Sequence, residues 1–170
     1  MVLSRIKLCI LSLSTIFAST QASANPAVIS ALMSTALSQE TQDMQFEDQK
    51  QTACMALAVY HEAANQPERG QRAVVHVILN RVASSRFATT PCGVVFQRGQ
   101  FSFIHYGMAR LIPHDDPRWN PIVKLVRSVT AGIDDPTSGA LYFYNPRNSR
   151  PGWRNVKATV RIGAHVFVRA

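Results

Sequence analysis

Apolar residues in the first half of the chain recur at helical spacing. A run from about residue 51 to 64 carries one stripe at i, i+3, i+4 and i+7, made of Met55, Ala58, Val59 and Glu62. Asn-Gln-Pro at 65–67 ends this predicted helix. Pro67 and Glu68 are then helix-start signals for a second helix, which extends to about Ser84.

After Pro91, short apolar or alternating runs indicate strands. The runs at 94–96 and 101–104 flank a polar turn, which predicts a small hairpin. Residues 140–144 have the composition of an aromatic-rich strand. Alternation at every second position from 160 to 168 predicts a closing strand.

A third helix is predicted between these strand regions. Asp115 and Asp116 are interpreted as its caps. Gly132 lies just past the end of its apolar stripe, which consists of Ile122, Leu125, Val126 and Val129. Residues 25–50 are polar and are expected to form a lead-in segment or a loosely docked helix. The pattern therefore predicts one α+β domain over residues 51–170, with a helical core and a small antiparallel sheet.

The start of the chain has the features of a secretory signal peptide over residues 1–24. Arg5 and Lys7 precede a short apolar run at 8–17, and Ala-Ser-Ala at 22–24 is a cleavage site. We therefore expect an exported protein, periplasmic or extracellular, at the cell wall. An uncleaved N-terminal anchor is the alternative. No later segment is long and apolar enough to cross a membrane.

The charge balance favours an anionic polymer as the partner. The chain has 18 Lys and Arg against 10 Asp and Glu, a formal net charge of +8. Such a balance suits peptidoglycan, teichoic acid, lipopolysaccharide or nucleic acid. The basic residues are scattered, with no run of five or six, so a nucleic-acid arm is not expected.

Two cysteines remain after the expected cleavage, Cys54 and Cys92. In an oxidising compartment an even pair predicts a disulfide, which would close a loop of about 38 residues. The bond would tie the helix that carries Glu62 to the turn at 91–93. Two buried free thiols are the alternative.

Neither a metal nor a cofactor is expected. His61-Glu62 begins like a zinc-protease motif, but position 65 is Asn, so H-E-x-x-H fails. The other histidines lack recognisable ligand spacing. A glycine-rich phosphate loop is absent from the sequence.

Glu62 is the candidate for catalysis. It ends the apolar stripe of the first helix, in a run (56–64) that holds no other carboxylate. A carboxylate on the core-facing side of a helix end loses water, so that its pKa rises and it retains a proton near neutral pH. Cleavage of a glycosidic bond needs such a general acid. The alternative is that Glu62 lies at the edge of the stripe and faces solvent.

Aromatic and amide residues near the C-terminus suit a glycan groove, because aromatic faces stack on sugar rings. Strand alternation predicts that the two tyrosines of 142–144 face the groove and Phe143 the core; a core strand with buried hydroxyls is the alternative. Asn80 is either a helix-packing residue or an orienting group. The predicted substrate-binding residues are Tyr60, Asn80, Gln100, Ser102, Tyr142, Tyr144, Asn145 and Trp153.

Six segments resemble the SleB-like cell-wall hydrolase family in residue identity, order and spacing, and together they span roughly residues 53–168. They are 54–63 (CMALAVYHEA), 70–82 (GQRAVVHVILNRV), 92–96 (CGVVF), 99–102 (GQFS), 142–146 (YFYNP) and 162–167 (IGAHVF).

The resemblance implies a lysozyme-like α+β fold and cleavage of the glycan strand of peptidoglycan, including spore cortex. It implies that Glu62 is the acid of the family's Tyr-x-Glu-Ala segment. Many members of the family act as lytic transglycosylases. Where the family usually has Glu-Ala-Arg-Gly-Glu, this chain has Glu-Ala-Ala-Asn-Gln, so that Gln66 replaces the second acid.

The residues agree with a one-acid mechanism. Paired-carboxylate glycosidases need a second carboxylate about 5–9.5 Å from the first, and only Asp115 and Asp116 come into question for that role. We therefore expect a monomeric lytic transglycosylase that cleaves MurNAc–GlcNAc bonds with Glu62 alone. The alternatives are a hydrolytic muramidase or glucosaminidase, and a non-catalytic peptidoglycan-binding module.

Overall fold

A computed structural model of the protein describes residues 26–105, 115–149, 151–153 and 156–169. The expected signal peptide lies outside the described residues. The helices are α1 (Pro26–Ala63), α2 (Glu68–Ala83), α3 (Pro91–Phe96), α4 (Ser102–His105) and α5 (Trp119–Thr130). The strands are β1 (Tyr142–Tyr144), β2 (Lys157–Ile162) and β3 (His165–Arg169). None of these helices is long and apolar enough to span a bilayer.

The first predicted helix is only the last part of α1, which begins at Pro26. Proline is favoured at a first helical position, and neither Gly nor another Pro interrupts the sequence before Pro67. By its internal contacts the chain divides into two units, Met1–Gln39 and Glu40–Ala170. The side chains described in the first unit are exposed. The second unit contains the core, whereas the domain limits predicted from the sequence stay a prediction.

The core lies between the end of α1, α2, α3 and α5. Every residue from Cys54 to Val59 is at most 9% exposed, and the stripe predicted for α5 is buried as well. A second, smaller cluster joins α2 to the sheet and consists of Ala73, Val77, Ala140, Ile162 and Phe167. Phe143 of β1 packs against both clusters, so the end of α1 and β1 are held by the same core.

The hairpin predicted between residues 94 and 104 is wrong, because both of its arms are helical. Thr90 caps α3 by accepting a hydrogen bond from the Gly93 backbone N–H at 3.1 Å, and Pro91 occupies a first-turn position. Val94 and Val95 are both fully buried, which a short helix permits and strand alternation does not. In apolar runs this short, periodicity does not distinguish a helix from a strand.

The single closing strand predicted for the C-terminus is instead an antiparallel pair, β2 and β3. Gly163 adopts a left-handed conformation at φ 58° and turns the chain, so that Ile162 pairs with His165. The sheet order is β1-β3-β2 with antiparallel neighbours. The predicted α+β class, a helical core with a small antiparallel sheet, is confirmed.

The structure contains the predicted disulfide between Cys54 and Cys92. It joins α1 to α3, and both sulfur-bearing residues are buried. The Gln51 side chain adds a second link, since its Oε1 accepts a hydrogen bond from the Cys92 backbone N–H at 2.7 Å. The end of α1 is therefore held to α3 by a covalent bond and a hydrogen bond beside it.

Candidate active site

A groove of about 1260 Å³ runs past the end of α1, the turn before α4, and the strands β1 and β3. Sequence-predicted site residues from three separate parts of the chain line it together. They are Glu62, Gln100, Ser102, Tyr142, Tyr144, Asn145 and Trp153. The fold therefore brings most of the predicted site to one surface.

Glu62 is the only Asp or Glu among the described residues that line this groove. Its side chain is half-buried one residue before the end of α1. Burial raises the pKa of Glu62, while Ser102 and the charge of Arg81 act in the opposite direction. The Ser102 hydroxyl donates a long hydrogen bond of 3.5 Å to Glu62 Oε1. The desolvated carboxyl has the property that a general acid needs.

Arg81 is a groove residue that the sequence did not indicate. It lies near the end of α2 and is only 3% exposed. Its Nε donates to the Leu141 carbonyl at 2.7 Å, and its guanidinium lies 5.2–5.6 Å from the centres of three rings, those of Phe87, Phe101 and Tyr142. Burial lowers the pKa of Arg81 to about 10, so the group stays protonated at neutral pH.

Two histidines, His61 and His165, also line the groove. The histidines were considered from the sequence only as metal ligands, and no site role was predicted for them. His61 stacks on Phe103 with ring centres 4.6 Å apart, and His165 contacts the ring of Phe143. Burial lowers the pKa of both imidazoles, so they are neutral at physiological pH. Within the described part of the chain, no group of three His, Cys, Asp or Glu is arranged to hold a metal ion.

The aromatic residues form a platform along one side of the groove. Trp153, which is 40% exposed, lies 5.2 Å from Tyr142 and 5.9 Å from Tyr144, measured between ring centres. Phe143 packs against Phe167 at 5.7 Å and contacts both core clusters, although its edge also lines the groove. The two tyrosines thus meet the tryptophan on the face opposite the core contacts of Phe143.

Two predicted substrate-binding residues, Tyr60 and Asn80, are not among the residues that line the groove, and their role in binding substrate stays a prediction. The Tyr60 hydroxyl donates to Asp116 Oδ2 at 2.7 Å and its ring contacts Trp119. The Asn80 amide donates to Asp135 Oδ2 at 3.0 Å and to the Ala140 carbonyl at 3.1 Å. Protein partners therefore occupy their polar groups, and Asn80 holds the turn that leads into β1.

Asp115 and Asp116 also lie outside the groove-lining residues. Neither is the N-cap of α5; that position is Arg118, with no side-chain cap. Asp116 Oδ1 instead accepts from the Arg118 backbone N–H at 2.8 Å, and hydrogen bonds from Arg118 hold the pKa of Asp116 well below its usual range. Because hydrogen bonds from Tyr60 and Arg118 occupy the Asp116 oxygens and Asp116 is not among the groove-lining residues, it is not placed to act as the second catalytic carboxylate.

Gln66, which stands where the family usually has its second acid, has a structural contact. Its Oε1 accepts a hydrogen bond from the Ala164 backbone N–H at 2.9 Å. A Cβ at Gly163 would lie 2.5 Å from the same oxygen, so glycine is required for this close approach. The Gln66 side chain therefore clamps the β2–β3 turn to the loop that follows Glu62.

Comparison with known families agrees with this architecture. The family model described as Cell Wall Hydrolase matches residues 65–168, which is more than half of the chain. The chain belongs to the cell wall hydrolase family. The matched region begins three residues after Glu62, so the match itself does not include Glu62.

Curated relatives of this cell wall hydrolase include the spore cortex-lytic enzymes of Oceanobacillus iheyensis and Bacillus subtilis. The first is 37% identical over 118 residues, which cover 68% of this chain and 40% of that protein. The second is 34% identical over 116 residues, which cover 66% and 35%. The chain thus spans about two fifths or less of the length of these relatives.

Two solved structures resemble the cell wall hydrolase at 36% sequence identity and a TM-score of 0.62. One is the catalytic domain of the Bacillus cereus SleB protein, and the other is the catalytic domain of the germination-specific lytic transglycosylase SleB from Bacillus anthracis. The similarity covers 71% of this chain, and 91% and 95% of those chains. The shared region is thus nearly all of each catalytic domain.

The contact between Gln66 and Ala164 predicts the effect of placing a glutamate at position 66. In Gln66→Glu a carboxylate oxygen still accepts from Ala164, so we expect the unfolding free energy to change by less than about 1 kcal/mol. Gln66→Ala removes the acceptor and is expected to cost about 1–3 kcal/mol. Urea unfolding of both variants measures the difference. Faster wall cleavage by Gln66→Glu at unchanged stability would instead indicate a chemical role for a carboxylate here.

Proposed function

We propose that this protein is an exported enzyme that cleaves the MurNAc–GlcNAc bonds of peptidoglycan, as a lytic transglycosylase with Glu62 as its one catalytic carboxyl. The observation that carries the proposal is a single desolvated carboxyl in a groove lined by aromatic, amide and cationic side chains. Paired-carboxylate mechanisms require a second acid, and the groove-lining residues that the structure describes provide none.

The aromatic platform gives the glycan a place to bind. The faces of Trp153, Tyr142 and Tyr144 offer apolar surface for sugar rings, which carry C–H groups on their faces. Gln100 and Asn145 line the same groove and provide amide donors and acceptors for hydroxyl and acetamido groups. A glycan strand bound along this platform would bring one of its glycosidic oxygens to Glu62.

In the proposed reaction Glu62 acts twice. The protonated carboxyl gives its proton to the glycosidic oxygen, the bond from that oxygen to C1 breaks, and an oxocarbenium-like state forms. The carboxylate then takes the proton of the sugar's own 6-hydroxyl while that oxygen bonds to C1. The products are a 1,6-anhydro-muramyl end and a free 4-hydroxyl on the departing sugar. No water is consumed, and Glu62 ends protonated as it began.

Charge and family support the exported, wall-bound setting. The chain carries a formal net charge of +8, which favours association with the anionic cell wall. The family is named for cell wall hydrolysis, and one structural relative is the catalytic domain of a lytic transglycosylase. A disulfide between Cys54 and Cys92 suits an oxidising compartment outside the cytoplasm.

Digestion of purified sacculi in heavy-oxygen water tests the reaction type. We expect products that end in unlabelled 1,6-anhydro-muramyl groups, because the intramolecular 6-hydroxyl has a high effective concentration at C1. Mass spectrometry of the released muropeptides reads the result directly, since anhydro products weigh one water less than hydrolytic ones.

Each other result of this digestion identifies a different function. Labelled reducing ends at MurNAc would indicate a hydrolytic muramidase, and labelled ends at GlcNAc a glucosaminidase. Binding to sacculi without released products, together with a blank zymogram, would indicate a non-catalytic wall-binding module.

A further inference from the structure

Arg81 is an unusual residue for the interior of this protein. It is 3% exposed, and its Nη1 is buried without a hydrogen-bond partner among the described residues. Removing an isolated charge from water costs several kcal/mol unless another group compensates it. The bond from Nε to Leu141 and the surrounding rings offset part of that cost. The bond to Leu141 uses only Nε, so this structural contact does not account for the unpaired Nη1.

The charged and titratable groups that share the groove with Arg81 come from several elements. His61 and Glu62 belong to α1, Arg98 to the turn before α4, Tyr142 and Tyr144 to β1, and His165 to β3. Both histidines are neutral at physiological pH, as described above. Glu62 is the only carboxyl group of this set.

Arg81 and Glu62 do not form a contact ion pair, yet each charge acts on the other. The Arg81 charge lowers the pKa of Glu62 against the effect of burial, and Glu62 in turn favours the charged form of Arg81. Such an interaction at a distance remains strong in a poorly hydrated site, because the effective dielectric constant is far below that of water.

We propose that Arg81, which lines the groove, is a positioning residue for the proposed reaction: its buried guanidinium, with Nη1 unpaired, stabilises the Glu62 carboxylate that exists between the two proton transfers. The proposal rests on the proposed function. Without the cation, Glu62 would release its proton less readily to the glycosidic oxygen. With it, the carboxylate persists long enough to accept the proton of the 6-hydroxyl.

The test compares three variants of the full exported protein, Arg81→Lys, Arg81→Met and Arg81→Gln. The rate of muropeptide release from sacculi is measured against pH. We expect the alkaline limb, where protonated Glu62 is lost, to move to higher pH in the two neutral variants. We expect their maximal rate to fall by at least about tenfold, because an electrostatic partner at the reacting group contributes up to 10²–10³. Arg81→Lys is expected to keep the limb near its wild-type position.

A carbon-13 NMR titration of the Glu62 carboxyl gives a second reading that needs no turnover. The expected result is an upward shift of its midpoint in Arg81→Met and Arg81→Gln and a smaller one in Arg81→Lys. Arg98→Met is the control for a loss of one positive charge, since Arg98 is an exposed arginine of the same groove. Its effect on the midpoint should be much smaller than that of the neutral Arg81 variants.

The pH–rate profile and the NMR titration together show whether the Arg81–Glu62 coupling or the proposed function is wrong. A Glu62 midpoint and alkaline limb that stay at their wild-type pH in a folded neutral variant would overturn the proposal. So would an Arg81→Lys variant whose limb moves as far as that of Arg81→Met, because the defect would then come from lost packing and not from lost charge. A shifted midpoint in a protein that releases no muropeptides would leave the Arg81–Glu62 coupling standing and overturn the proposed function.

Discussion

Replacing Glu62 with glutamine is expected to lower the rate of glycan cleavage by about 10²–10⁴-fold, the usual contribution of general acid catalysis. The amide is nearly isosteric with the carboxyl but has no acidic proton to give. Release of muropeptides from purified sacculi, quantified by liquid chromatography, measures the loss. A variant that kept more than about a tenth of the wild-type rate would show that another group is the acid.

The fold should survive this substitution and gain stability at neutral pH. Because burial raises the pKa of Glu62, the folded state holds its proton to higher pH than the unfolded chain does. The stability contribution of Glu62 therefore falls as the pH rises from the unfolded pKa through the folded one. Glu62→Gln removes this penalty, so its melting temperature at pH 7 should equal or exceed that of the wild type.

Glu68→Gln is the matched control for the charge change. Glu68 lies in the first turn of α2, is exposed, and pairs with Arg72 four residues on. An exposed pair of this kind contributes at most about 1 kcal/mol to stability. The control variant should therefore cleave sacculi within about twofold of the wild-type rate, since Glu68 is exposed and is not among the residues that line the groove.

Removal of the disulfide is expected to have the largest effect on stability. The bond between Cys54 and Cys92 spans 38 residues, and the loop-entropy model assigns it about 4 kcal/mol. That is a large part of the 5–15 kcal/mol by which a typical domain is stable. The variant Cys54→Ala/Cys92→Ala should accordingly lose about 4 kcal/mol in urea unfolding.

The wild type under reducing conditions is the control for this double substitution. Reduced wild type and the double variant should lose similar amounts of unfolding free energy, because both lack the cross-link. Two titratable thiols in the denatured, unreduced exported protein would contradict the disulfide. An unchanged urea midpoint in the double variant would contradict its stabilising role.

The groove shows which site residues a sequence can indicate. The place of Glu62 at the groove was predictable because it depends on the local spacing of Met55 and Val59 along one helix. The aromatic platform was predictable because alternation places Tyr142 and Tyr144 on one face of a strand. In both cases the relevant neighbours lie within a few residues of each other.

The sequence did not indicate the contacts of residues whose partners are distant along the chain. Tyr60 and Asn80 resembled groove residues, but their hydrogen-bond partners Asp116 and Asp135 lie 56 and 55 residues away. Arg81 looked like an ordinary basic residue near a helix end. Its burial depends on the Leu141 carbonyl, 60 residues further along, and on rings from three other segments.

The sequence by itself determined the end of α1, helices α2 and α5, the α+β class and the cysteine pair, and it indicated Glu62 as the candidate acid, since each follows from short-range periodicity or from residue chemistry. Only the tertiary structure decided that residues 94–96 and 102–105 are helical, since runs this short carry too little periodic signal. Only it decided that Gly163 divides the last strand in two and that Gln66 holds that turn. The physical reason is that burial and hydrogen bonding depend on which residues are close in the folded protein, and folding brings together groups that are far apart in the chain.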